Sequence, residues 1–169
     1  MKQIIVRYAV VAAGLLCALG LLNWLLIARP LGYQASEIVG YLSMIVALSM
    51  IFFAIRYYRS RISGGTLTFG VGFRIGIWIT LITSALFFVY SWIYFLVYGD
   101  DFKAWADAHF KEQYSAEQYQ AYLNQIEQMD PLYSSPAFQG IVMFLTVFFI
   151  GLIITLVSAS VLKNTSRTL

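Results

Sequence analysis

His109 is the only histidine of the 169-residue chain, and Asp107 and Glu112 lie within three residues of it. On a helix His109 and Glu112 would share a face, and nitrogen and carboxylate ligands of this type bind zinc. Three such groups scattered along an exposed helix read more simply as a solvated face, so no metal site is predicted. A single histidine cannot supply both axial ligands of a bis-histidine haem. A Ser/His/Asp relay would have to be assembled around His109, and nothing in the sequence nominates its serine. Gly70 and Gly72 invite a dinucleotide-loop reading, but Ile75 stands where the third glycine belongs and no Gly-Lys-Ser/Thr motif is present. The expectation is no catalytic residue, no cofactor, no nucleic-acid partner and no enzyme.

The remaining polar candidates lie near apolar stretches. Glu37, directly after Ser36, is expected to cap a helix and complement its positive end; a sharper alternative pairs it with Arg29. Asn23 could hydrogen-bond to a neighbouring helix. No Asp, Glu, Lys, Arg or His falls near the middle of an apolar stretch, so the ionisable groups usual in proton relays and ion-coupled transporters are missing. The lone Cys17 excludes an intrachain disulfide and reads as a small apolar side chain.

The elements that must position these residues are apolar helices. Apolar residues make up 60% of the sequence and charged residues 11%, the latter about half the ~25% of a soluble globular protein. Four apolar stretches, at about 4–28, 38–57, 75–94 and 137–162, each meet the ~20 residues needed to cross a bilayer as a helix. None alternates as a barrel strand would. The first is too long for the ~7–15-residue core of a secretory signal and lacks a small-x-small cleavage site, so it is expected to be a retained helix. Pro30, Pro131 and Pro136 fall at the predicted borders, and the spans are expected to be unbroken. Ser135-Pro136 reads as an N-cap followed by a first helical proline.

Charge sorts by loop. Lys2, Arg7, Arg56, Arg59, Arg61, Arg74, Lys163 and Arg167 stand without acids, whereas Arg29, Lys103 and Lys111 share the other side with all eight acids. One side therefore carries +8 and the other −5, which together give the net charge of +3. The positive-inside rule places both chain ends and the Arg56–Arg74 loop in the cytoplasm. The same arginines would draw anionic lipid headgroups, as any such loop does. Gly64-Gly65 is expected to form a turn, with Thr66 or Thr68 capping a short lead-in before the third span. Tyr8, Tyr57 and Tyr58 mark the inner interface; Trp24, Tyr41, Trp92, Tyr94 and Tyr98 mark the outer one.

Small residues line one face of the third stretch (Gly72, Gly76, Thr80, Ser84) and of the fourth (Gly151, Thr155, Ala159) at four-residue steps. Such faces let helices approach closely, inside one bundle or along a homo-oligomer seam. Gly40, Ala47 and Ala54 do the same in the second. Between about 99 and 135 the chain turns polar and aromatic. Phe102, Trp105, Ala106 and His109 follow helical spacing, Ser115 and Gln118 fit a capping box, and Tyr119, Tyr122, Leu123, Ile126 and Met129 form an apolar stripe. Two helices are predicted, the first able to continue from the third span, forming an acidic extracytoplasmic hairpin. Its stripe is expected to pack on the twin helix, with the membrane surface or a partner as alternatives, and the hairpin is the first candidate for recognising a partner.

The stretch Ser36–Arg59, SEIVGYLSMIVALSMIFFAIRYYR, followed by Ser63–Gly76, SGGTLTFGVGFRIG, resembles the bacterial membrane proteins grouped as domain of unknown function 4199. The resemblance implies a bacterial inner-membrane setting and a four-helix layout, and brings no assigned activity or site residues. The expected fold is all-α, one domain over 1–169: a four-helix membrane bundle with a helical hairpin between spans three and four. The expected function is a non-enzymatic accessory or scaffold subunit; the alternative is a small transporter or lipid-handling protein, its substrate passing near Glu37 and Asn23.

Overall fold

The structure, a computed structural model, describes residues 1–128, 132 and 135–164, with the side chains of Arg29 and Tyr33 left out. Met129, Asp130, Pro131 and Arg167 of the sequence reading lie outside the described residues. All named elements are helices: α1 (Lys2–Asn23), a π-helical turn (Trp24–Ala28), α2 (Arg29–Leu31), α3 (Tyr33–Leu48), α4 (Met50–Arg61), α5 (Phe69–Gln113), α6 (Ala116–Gln128) and α7 (Pro136–Leu162). The only strand-like feature among the described residues is an isolated bridge between Leu67 and Asn164. Four helical stretches, Lys2–Ala28, Gln34–Arg61, Phe69–Gln113 and Pro136–Leu162, are long and apolar enough to cross a membrane.

The borders differ from the expected ones in instructive ways. The first span is one continuous helix from Lys2 to Ala28, but its pitch changes. It widens into a π turn at Trp24–Ala28, separated by Arg29 from Pro30, which has no N–H to continue the regular ladder. Pro30 sits inside α2, and the stop comes at Gly32, whose φ of 84° lies in the left-handed region. The second span begins at Tyr33, five residues earlier than expected, and is interrupted at Ser49, whose hydroxyl donates to the Val46 carbonyl at 2.6 Å. The third stretch runs on into the first helix of the excursion, the continuity that the sequence allowed. It continues to Gln113 as one 45-residue helix. A single glycine at Gly99 costs about 1 kcal/mol, too little to stop it.

Helix starts follow their caps. Thr68 accepts from the Val71 N–H, so the expected lead-in is the first turn of α5 itself. The Ser115 hydroxyl accepts from Gln118 N–H at 3.3 Å while Gln118 Oε1 accepts from Ser115 N–H at 3.1 Å, a reciprocal capping box. Ser135 caps α7 by accepting from Phe138 N–H.

The core runs along the antiparallel pair α5 and α7, with α1 and α4 packed against it. Gly76 faces Thr155, and Gly151 faces Thr80. A Cβ on Gly76 would lie 2.5 Å from Thr155 Cγ2, and one on Gly151 2.6 Å from Thr80 Cγ2. One turn further, Gly72 meets Ala159. The two small-residue stripes are therefore used against each other, within one chain. Thr80 and Thr155 join their hydroxyls at 3.2 Å, and Thr83 donates to the Ala9 carbonyl of α1 at 3.3 Å. Ser84 completes the stripe fully buried, its hydroxyl unpartnered among the described residues. Ala47 and Ala54 of the second stripe are fully buried as well.

Candidate functional site

The two ends of the bundle have different chemistry. At the loop end α4 stops at Arg61 and the chain turns at Gly64 and Gly65, with φ of 62° and 91°. The Gly65 N–H closes back on the Arg59 carbonyl at 2.9 Å. Arg59 then reaches in two directions, donating from Nε to the Gly65 carbonyl at 3.2 Å and from Nη1 to the Leu162 carbonyl at 3.3 Å. The latter is the negative end of α7, where a cation is favoured. Leu67 and Asn164 exchange backbone hydrogen bonds of 3.3 and 2.8 Å beside it. Arg59 is thus a structural clamp, while Arg56, Arg61 and Arg74 are exposed. Tyr8 and Tyr57 pack ring to ring near this end, 6.4 Å apart.

At the hairpin end, aromatic rings form the structure. Trp24 is 9% exposed, its ring covered by other rings of the bundle. Placed at the start of the π turn, it packs against Tyr94, Phe102 and Trp105 with ring centroids 6.2, 6.0 and 5.5 Å away. Trp105 stacks on His109 at 6.0 Å with 13° between planes. His109 lies over Gly32, where a Cβ would approach its Cε1 to 2.8 Å. The ladder goes on through Phe110 to Tyr122 of α6, 5.1 Å away. Tyr119 donates to Asp107 Oδ1 at 2.8 Å, which holds its phenol above the ordinary tyrosine range. Trp105, His109, Tyr119 and Tyr122 are therefore brought together as one ring system tying α6 to α5 and α5 to the Gly32 turn.

Asn23 reaches from α1 to α3. Its Nδ2 donates to the Ser36 carbonyl at 2.9 Å and to the Ser36 hydroxyl at 3.2 Å, leaving its buried Oδ1 without a partner among the described residues. Glu37 does not cap α3, because the helix starts at Tyr33 and has no acid in its first turn. It lies one turn in, exposed, on the rim of a groove of about 300 Å³ between α3, α5 and α7, with Gly40, Tyr41, Phe102, Trp105 and Met143 among its walls. The pairing of Glu37 with Arg29 lies outside the described side chains. A second groove of about 490 Å³ lies where Phe95, Gly99 and Lys103 face Ile126 and Pro136. Among the described residues no three His, Cys, Asp or Glu side chains gather as metal ligands.

The family model described as Protein of unknown function (DUF4199) matches residues 8–164, nearly the whole chain. This chain belongs to the DUF4199 family. No curated protein and no solved structure matches it.

The DUF4199 match includes both the loop clamp and the hairpin-end ring system. Sequence reasoning missed three participants there. Gly32 and Trp24 carried one usable signal, a glycine two residues after Pro30 and a tryptophan six residues before it. Phe102 joined the helical pattern in sequence, but its place at the groove depends on how α5 meets α3 and α7.

Proposed function

We propose that this DUF4199 protein is a non-enzymatic accessory or scaffold subunit of a bacterial cytoplasmic membrane, with α6 and the end of α5 as its docking element outside the cell membrane. The lopsided charge supports the orientation: the N-terminal stretch, arginine loop and C-terminal stretch would face the cytoplasm. One observation carries the docking role. Helix α6 has no buried residue, and among the described helices it packs on α5 alone. Its stripe of Tyr122, Leu123 and Ile126 is only partly covered there, with Ile126 46% exposed. The close threonine–glycine packing of α5 on α7 also favours a static frame over a moving pathway.

Photocrosslinking in cells tests this. A crosslinker placed at Ile126 or Leu123 is expected to give one discrete protein adduct, and one at lipid-facing Phe149 or Val161 none. The proposal falls if adducts arise equally from both sets, or from neither. The alternative, a small transporter or lipid-handling protein, is favoured by the groove beside Glu37.

A further inference from the structure

The groove at Glu37 combines features that suit one kind of ligand. It brings a carboxylate together with three aromatic rings, Tyr41, Phe102 and Trp105, and continues along apolar Met44 and Met143. Glu37 makes no hydrogen bond or ion pair among the described residues. Aromatic rings carry negatively polarised faces, which attract a cation within about 6 Å of a ring centroid and hold quaternary ammonium groups in aromatic cages. An anionic headgroup would meet repulsion from Glu37 and nothing to offset it from the rings. Its flank is open sideways: Tyr41 and Val142, 48% and 37% exposed, lie on helices long and apolar enough to cross a membrane. A bound molecule could therefore leave a tail against lipid while its head stays among Glu37, Phe102 and Trp105. Asn23 supports the floor from behind. Its amide donates to the Ser36 carbonyl and hydroxyl, which ties α3 to α1 behind the groove.

We infer that this groove binds an alkylammonium amphiphile, with the ammonium head between Glu37 and the rings of Tyr41, Phe102 and Trp105 and the apolar tail along Met44 and Met143. The ligand can be a free amphiphilic amine or a zwitterionic aminophospholipid; the two share the ammonium that Glu37 and the rings would recognise, and the lipid's phosphate would have to stay outside the groove, whose lining holds no cation. This inference deepens the lipid-handling alternative and is independent of α6 docking, so either can fail alone.

The test is calorimetric titration of the full chain in maltoside micelles with octyltrimethylammonium, octanol and octanoate. Saturable binding of the cation alone is expected. Glu37→Gln and Trp105→Leu should each weaken it about tenfold or more, while Trp92→Leu, outside the groove, leaves it unchanged. Thermal midpoints of the variants verify that they are folded, and Tyr41→Leu serves in place of Trp105→Leu if the latter is not. Equal binding by Glu37→Gln, equal binding of octanoate, or no saturable binding at all overturns the inference. Native mass spectrometry from nanodiscs then separates the sources. Phosphatidylethanolamine retained by the native protein and lost in Glu37→Gln assigns the lipid headgroup; retention of none, with the free amine bound, assigns a soluble amphiphile.

Discussion

Thr80 and Thr155 touch through their hydroxyls at 3.2 Å, and each places its methyl over a glycine of the opposite helix, Gly151 and Gly76 respectively. The arrangement is reciprocal, so one contact fixes both the separation and the register of α5 and α7. Substituting Gly76 or Gly151 by alanine is expected to destabilise the protein by about 1–3 kcal/mol through overpacking. Gly14→Ala, with nothing within 4 Å of the added methyl, should be neutral or slightly stabilising. Unfolding in mixed micelles measures all three, and equal effects would show that the glycines are not close-approach points.

The hydroxyl pair itself is worth less. Thr80→Val and Thr155→Val keep the shape and remove the hydrogen bond. A double-mutant cycle is expected to give a coupling of about 0.6 kcal/mol, the usual size for such bonds between membrane helices. A coupling above about 2 kcal/mol would mean that the valines disturb the packing as well.

Gly32 carries two separate demands, a φ of 84° and a close approach to His109 Cε1. Gly32→Ala should cost about 2 kcal/mol or more, from backbone strain plus the clash. In a His109→Ala background the clash disappears and the strain remains, so the penalty should shrink without vanishing. An unchanged penalty would place the whole effect in the backbone.

Arg59 and Arg61 are two residues apart and should behave differently. Arg59→Gln loses charge-assisted bonds to the Gly65 and Leu162 carbonyls and is expected to cost about 1–2 kcal/mol. Arg61→Gln, whose side chain is exposed, should stay within about 0.5 kcal/mol. Orientation is read separately, by labelling single cysteines in a Cys17→Ala background with an impermeant maleimide. Gln118→Cys should label from outside intact cells and Ser60→Cys only after lysis; the reverse pattern would invert the proposed topology.

The Tyr119 phenol, held above the ordinary range by its bond to Asp107, sets a pH dependence. The folded state favours the protonated phenol, so its contribution is complete below the ordinary tyrosine range of about 10. It is lost as pH rises through the higher folded value. In an ultraviolet tyrosinate titration, Tyr119→Phe should remove a late-titrating tyrosine, and Asp107→Asn should move that tyrosine earlier.

Hydropathy and charge, which need no partner, were legible in the chain itself. Four apolar stretches became four long helices, and the caps at Thr68, Ser115 and Ser135 formed where short-range chemistry placed them, because a cap depends on residues within one turn. The small-residue stripes could be read as faces. That they face one another, Gly76 to Thr155 and Thr80 to Gly151, was decided by packing, since the same pattern serves a bundle or a dimer seam. The sequence could not place Trp24 inside, make Arg59 a clamp, or set Glu37 on a groove with Phe102 and Trp105. Those positions depend on a π turn before Pro30 and on contacts between helices far apart in the chain, and only the folded structure brings such residues together.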